Sequence, residues 1–192
     1  LLQIAMPLGG IGAGCVCLNG QGGLQDFSIR GTPATSAGAD GHNPSDSAFA
    51  TLYLPAQQIA RLVEGPMPVE RVYDQGLKGQ GYRCGGHEGL PRFRSCSFKG
   101  QYPFGTVDLA DPQIPLTVTI TGFNPFIPLD DKNSSLPCAV LEYTFTNRST
   151  APVDFEFGYH ISHFAAGKGW GFETTRNAVI PGTGVHLYNV EE

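Results

Sequence analysis

Hydrophobic and polar residues alternate with a period of two along several stretches of the chain. In the clearest stretch, five apolar side chains occupy every second position: Val153, Phe155, Phe157, Tyr159 and Ile161. An extended strand places such residues on one face, whereas a helix would spread them around its circumference. The same kind of pattern predicts strands at residues 48–54, 104–109, 114–121, 141–146 and 185–190.

The predicted strands are short and are separated by clusters of turn-forming residues. The loop 147–152 (Asn-Arg-Ser-Thr-Ala-Pro) lies between two of them, so we expect those two strands to form an antiparallel hairpin. Segment 57–64 is compatible with a helix or a strand, and the small, polar stretch 31–44 is a candidate mobile loop. Many short strands with frequent turns favour an all-β fold, an antiparallel β-sandwich.

Composition supports this fold class and excludes several others. The 192 residues include 26 Gly and 15 Pro, and only 15% are charged, which is unlike a coiled coil. Hydrophobic residues make up 41% of the chain, enough for a core, yet no apolar run is long enough for a transmembrane segment. The net charge of −5 provides no basic surface, so we expect no nucleic-acid partner.

Cysteine usage and the first residues bear on the cellular compartment. Five cysteines cannot all pair with one another, and their spacing fits neither a zinc site nor a dense disulfide framework. We expect free, mostly buried thiols in a reducing compartment. No signal peptide is evident and no initiator Met is present, so the expected location is cytoplasmic, with secretion left open, and the chain is expected to be trimmed or excised.

A glycine-rich segment near the start resembles a phosphate-binding loop, but its spacing differs. Gly9, Gly10, Gly12 and Gly14 do not form the GxGxxG pattern, and the residues that follow predict a strand and a turn rather than a helix. The alternative is a close backbone crossing at which side chains would not fit. We expect no cofactor.

Two further patterns could carry chemistry. His160 and His163 are three apart, so on a strand they would point to opposite faces, and we expect no metal site. A glycosidase needs two carboxyl groups that face each other across the scissile bond. The sequence offers several candidates without showing that any two meet: Asp26, Glu88, Asp108, Asp130 and Asp131. Arg92, Arg94, Asp26 and Arg30 could equally form structural ion pairs.

Five blocks together give the chain a recognisable resemblance. They occur in order over about residues 4–160 and comprise 6–14, 22–30, 60–66, 89–93 with 98–104, and 123–129 with 135–137. The chain resembles the N-terminal domain of glycoside hydrolase family 116, which contains the non-lysosomal glucosylceramidases and bacterial β-glucosidases. The resemblance implies a β-sandwich followed by a catalytic (α/α)6 domain.

The resemblance also implies which chemistry lies elsewhere. Enzymes of this family are retaining, with one carboxylate as nucleophile and a second as acid and base. Both belong to the helical domain, so we expect no catalytic residue in this chain, which would form a single, incomplete β-sandwich domain over residues 1–192. The expected partners are that catalytic domain and, through it, a β-glucoside. Five residues are expected at the substrate cleft or the domain interface: Gly9, Gly10, Gly12, Asp26 and Arg30.

A different class of function stays open. The chain could be a stand-alone carbohydrate-binding or protein-interaction module, with exposed rings that stack on sugars. The candidate rings are Tyr102, Phe104, Phe126, Trp170 and Phe172. If the chain instead docks onto a catalytic domain, we expect the isolated chain to expose an apolar patch and to self-associate.

Overall fold

The computed structural model describes residues 4–29, 48–68, 89–163 and 175–190. In these ranges it contains twelve strands and one short helix, α1 (Asp131–Ser134). The strands are β1 (Ala5–Leu8), β2 (Cys15–Asn19), β3 (Leu24–Ser28), β4 (Ala48–Leu54), β5 (Ile59–Leu62), β6 (Ser95–Gln101), β7 (Phe104–Ala110), β8 (Leu116–Phe123), β9 (Val140–Asn147), β10 (Glu156–Ile161), β11 (Thr175–Ile180) and β12 (Gly184–Asn189).

The large sheet consists of β6, β7, β8 and β9 in sequence order, and all of its pairings are antiparallel. Strand β8 shows why it forms: every second residue is buried, and the residues between them are mostly threonines that face outward. Val118 and Ile120 are fully buried on the inner face. β-Branched residues in this alternation suit a sheet with one covered face.

The small sheet has the order β10-β4-β5 and is also antiparallel. Its central strand β4 buries Ala50, Leu52 and Leu54. These side chains form one hydrophobic core with the inner face of the large sheet and with Leu8 and Leu18 of the N-terminal strands. The all-β sandwich predicted from the sequence is thereby confirmed.

Two smaller sheets complete the described structure. Strands β1, β2 and β3 form an antiparallel N-terminal sheet, and β11 pairs with β12 in a separate hairpin. No helix in the described residues is long and apolar enough to cross a membrane.

The predicted hairpin between the strands flanking loop 147–152 is wrong. β9 pairs with β8 and β10 pairs with β4, so the loop carries the chain from one sheet to the other. The two strands meet face to face instead: the rings of Tyr143 and Phe157 lie 5.2 Å apart between centroids. Each strand has one apolar face, and burying two such faces together requires stacking of the sheets rather than pairing at their edges.

Several other expectations can be compared with the structure. The predicted strand at 48–54 matches β4, and those at 104–109 and 185–190 match β7 and β12 to within one residue at each end. Ile114 lies in a turn before β8, although it is buried. Segment 57–64 contains a strand, β5, and no helix. The candidate mobile loop 31–44 lies outside the described residues.

Candidate functional site

The glycine-rich segment forms a tight turn between β1 and β2. Gly9, Gly12 and Gly14 have φ angles of 116°, 74° and 90°, which side chains rarely tolerate. A Cβ on Gly10 would overlap the carbonyl oxygen of Leu136, and one on Gly14 would lie 2.7 Å from that of Ser28. The turn is therefore a close backbone crossing. This is the interpretation that the sequence analysis gave as the alternative to a phosphate-binding loop.

Asp26 lies on β3, close to this turn in the N-terminal sheet. The register between β2 and β3 shifts between Cys15 and Cys17, and Asp26 adopts a φ of 57° at this irregularity. Its carboxylate accepts a hydrogen bond from Gln25 Nε2 at 3.1 Å. Arg30, expected beside Asp26, lies outside the described residues. The role of these residues at a cleft or interface stays a prediction.

Loop 124–138 packs against the glycine turn. Ile11 N donates a hydrogen bond to Ser134 O at 2.8 Å, and the Ser134 hydroxyl is bonded to both N and O of Ile127. Asp130 caps α1, since its carboxylate accepts hydrogen bonds from the backbone and side chain of Asn133. These two bonds favour the charged form and lower the pKa of Asp130.

The turn between β6 and β7 joins the same surface. Asn124 N donates to Pro103 O at 3.0 Å, and the rings of Tyr102 and Phe126 lie 5.7 Å apart. We call the surface formed by residues 9–14, 102–104 and 124–138 the loop end. Seven of its large apolar side chains are exposed: Ile11, Tyr102, Phe104, Phe126, Ile127, Leu129 and Leu136. These exposed side chains agree with the expected apolar surface, and self-association of the isolated chain stays a prediction.

Two carboxylates in the described part of the chain are buried, and each lies against an arginine. Glu64 Oε2 is 3.4 Å from Arg92 Nε, and Asp111 Oδ2 is 2.9 Å from Arg61 Nε. Removing one partner of a buried ion pair is strongly destabilising, so both carboxylates are engaged in structural contacts. The prediction that Arg92 could form a structural ion pair is confirmed.

The exposed carboxylates are distributed over different parts of the surface. Asp108 lies on the outer face of β7, in a shallow groove of about 430 Å³, and accepts a hydrogen bond from the Thr119 hydroxyl at 2.8 Å. Among the groove's described lining residues, Asp108 is the one acid. Asp130 and Asp131 belong to the loop end, and Glu88 lies outside the described residues. The described contacts therefore assemble no pair of facing carboxylates of the kind that glycosidases use.

The two histidines of the HxxH pattern have separate partners. The His160 ring stacks on Phe49 with centroids 4.7 Å apart, whereas His163 Nε2 lies 3.0 Å from the carbonyl oxygen of Arg176. In the described part of the chain, no group of three His, Cys, Asp or Glu side chains could hold a metal ion.

The four cysteines in the described ranges are free thiols, as predicted. Fewer of these thiols are buried than predicted, because only Cys17 is buried and Cys138 is exposed. Burial raises the pKa of the Cys17 thiol to about 12, and the neighbouring Cys15 and Asp26 contribute further. The buried thiol is therefore a weak nucleophile at neutral pH.

The sequence interpretation did not single out Ile127, Leu129 and Leu136 as surface residues. For Ile127 and Leu129 the signal is the stretch 123–129, where two prolines interrupt an apolar run and prevent regular strand pairing. Such a run forms a loop rather than a strand. Loops run over the surface, so large apolar side chains on this loop are candidates for exposure.

Residues 5–178 match the family model described as beta-glucosidase 2, glycosyl-hydrolase family 116 N-term. No curated protein matches the chain.

Proposed function

Since the chain belongs to the N-terminal domain family of glycosyl-hydrolase family 116, we propose that it forms the non-catalytic β-sandwich of a retaining β-glucosidase or glucosylceramidase-like enzyme. In this proposal it packs against a downstream (α/α)6 catalytic domain and helps to wall the cleft that receives a β-glucoside. The nucleophile and the acid/base carboxylate belong to the catalytic domain. Family membership itself makes the full-length protein a glycoside hydrolase.

The apolar surface at the loop end is the observation that carries this proposal. Leu129 is fully exposed, and Tyr102 and Ile127 are about half exposed. Contiguous exposed apolar side chains mark interaction surfaces on soluble domains. Hydrogen bonds from the glycine turn and within loop 124–138 hold this surface in one conformation, so docking would cost little ordering entropy.

The carboxylates support the non-catalytic part of the proposal. Glu64 and Asp111 are buried against arginines, and Asp108 stands as the one acid among the described lining residues of its groove. A retaining mechanism needs two carboxyl groups roughly 5–5.5 Å apart on either side of the scissile bond. The described contacts of these acids do not supply that arrangement.

The proposal is tested in the full-length enzyme with Leu129→Lys. In the sandwich alone, a lysine at this exposed position is tolerated, whereas in a docked interface it places an unpaired charge against apolar surface. We expect kcat/KM for an aryl β-glucoside to fall roughly tenfold or more, because such a charge costs more than about 1.4 kcal/mol.

The matched control is Ser97→Lys, an exposed position on the outer face of β6. It adds the same charge away from the loop end and is expected to leave kcat/KM unchanged. Equal activity of the two variants would contradict docking through the loop end.

A second candidate function is sugar binding by the loop end itself. It is favoured by the exposed rings of Tyr102 and Phe126, which are inclined at 55° to each other. Trp170 and Phe172, also considered for stacking, lie outside the described residues. Titration of the chain with cello-oligosaccharides tests this function: saturable binding that is lost in Tyr102→Ala would support a carbohydrate-binding module in place of a docking domain.

A further inference from the structure

The outer face of the small sheet carries aromatic and polar side chains in three successive rows across β4 and β10. In β4 the buried core residues alternate with the residues that point outward. The rows, followed along β4, are the register pairs Phe49–His160, Thr51–Gly158 and Tyr53–Glu156. We call the surface formed by these six residues the outer cleft.

One wall of the outer cleft is a pair of stacked rings. The exposed His160 ring lies on Phe49, with centroids 4.7 Å apart and planes inclined at 15°. The Thr51 hydroxyl donates to the carbonyl oxygen of Gly158 at 3.4 Å, and His160 Nε2 lies 3.3 Å from the same hydroxyl. The stacking and the hydroxyl contact together orient the imidazole, so this wall is preorganised.

The opposite wall consists of Tyr53 and Glu156, which are paired across the two strands and are both exposed. The two walls are four residues apart along each strand, which is about 13 Å at roughly 3.3 Å per residue. A ring stacked between two walls needs about 9–14 Å, twice the distance at which rings stack. The outer cleft therefore has the width of one ring-shaped ligand.

The floor between the walls is low because Gly158 has no side chain. A Cβ at this position would lie 2.8 Å from Thr51 Oγ1 and 3.5 Å from His160 Nε2. Glycine therefore leaves room for the Thr51 hydroxyl to reach across the strand, and it lets a ligand approach the backbone closely.

We propose that the outer cleft binds one pyranose ring of a β-gluco-oligosaccharide. The rings of His160 and Tyr53 suit the apolar CH face of a sugar, and the Glu156 carboxylate accepts hydrogen bonds from its hydroxyl groups. Strands β4 and β10 contain no Lys or Arg, so they offer no such cation to a phosphate or another anion. The inference rests on family membership, which makes the full-length protein a glycoside hydrolase, and uses no loop-end residue.

Titration of the full-length enzyme with thio-linked cellotetraose tests the proposal. The sulfur linkage resists hydrolysis, and an excess of a glucose-like inhibitor occupies the catalytic domain. We expect one saturable site per polypeptide, with binding roughly tenfold weaker in Tyr53→Ala, which removes a stacking ring, and in Glu156→Gln, which removes a charged acceptor. Absence of a saturable site, as when another segment covers the outer cleft, would overturn the proposal.

Two matched controls place the binding on this face. Tyr102→Ala removes a ring at the loop end, and Glu142→Gln neutralises an exposed carboxylate on β9, so both are expected to leave the affinity unchanged. Binding lost in Tyr102→Ala and kept in Tyr53→Ala would overturn the proposal in favour of sugar binding by the loop end.

Gly158→Ala provides a third variant that removes no contacting group. The backbone here does not need glycine, since Gly158 does not adopt a positive φ. The added methyl group raises the floor and displaces the Thr51 hydroxyl, so we expect roughly tenfold weaker binding with a melting temperature within a few degrees of the parent. Unchanged affinity would contradict the proposal. Failure here would leave the Leu129→Lys experiment unaffected, because that variant reports on the loop end.

Discussion

Arg92 and Glu64 form a buried ion pair, with Arg92 Nε 3.4 Å from Glu64 Oε2 and side-chain exposures of 8% and 9%. The two residues belong to separate sequence blocks of the family resemblance, 60–66 and 89–93. The backbone joins the same blocks, since Leu62 N donates to Pro91 O and Phe93 N donates to Glu64 O. These family-like residues therefore join the two blocks within the sandwich.

Loss of Arg92 is expected to destabilise the domain strongly. Arg92→Leu leaves the buried Glu64 carboxylate without this cation, and breaking a buried pair typically costs about 3–5 kcal/mol. Urea unfolding measures the loss. The control Arg148→Leu removes an exposed arginine and is expected to change stability by less than about 0.5 kcal/mol. A similar small change for Arg92→Leu would show that the pair is not structural.

The backbone crossing at the glycine turn gives a second prediction. A Cβ on Gly10 meets the backbone of Ser135 and Leu136, so Gly10→Ala is expected to cost about 1–3 kcal/mol by overpacking. Gly89→Ala is the matched control, because a Cβ there meets nothing within 4 Å. Thermal unfolding of both variants measures the difference, and equal melting temperatures would rule out the tight crossing.

Burial of Cys17 predicts a pH dependence of stability. Its pKa is raised from 9.0 to about 12 in the folded protein, chiefly by burial. The thiol is protonated in both states below pH 9, and at higher pH the unfolded chain ionises first, so stability falls as pH rises from about 9 to about 12. Urea titrations across this range should show a smaller loss in Cys17→Ala than in the exposed-site control Cys138→Ala. Parallel losses would contradict the prediction.

The isolated chain is expected to show no glycosidase activity. Because Glu64 and Asp111 are engaged with arginines, Asp108 with a hydroxyl and Asp130 with amides, aryl β-glucosides and β-xylosides should be hydrolysed no faster than in buffer. Turnover by the purified chain, abolished by Asp108→Asn or Asp130→Asn, would place the catalytic pair here after all.

The strands could be predicted from the sequence, but not how they combine. Alternation in β8, β9 and β10 identifies which residues share a face. It does not distinguish a neighbour within a sheet from a partner across the core, which is why Tyr143 and Phe157 were expected in one hairpin and lie in opposite sheets. Whether two strands pair at their edges or stack across the core depends on how the apolar face of each strand is buried. That burial is a property of the whole domain.

The candidate site was predictable only in part. The glycines of the turn stand out because few other residues tolerate their backbone angles. Their contact with Leu136 depends on how loop 124–138 returns to the turn, and a contact between residues so far apart leaves no local signal. The Glu64–Arg92 pair is similar: Arg92 was a candidate for an ion pair, but only the fold supplies its partner.

Chemical accessibility of the loop end in the full-length enzyme tests the central claim most directly. Single cysteines are introduced as Leu129→Cys and Ser97→Cys, and their alkylation rates are compared peptide by peptide in the folded enzyme. If the loop end docks onto the catalytic domain, the thiol at position 129 reacts roughly 100-fold more slowly than the thiol at position 97. Equal rates at the two positions would contradict the account.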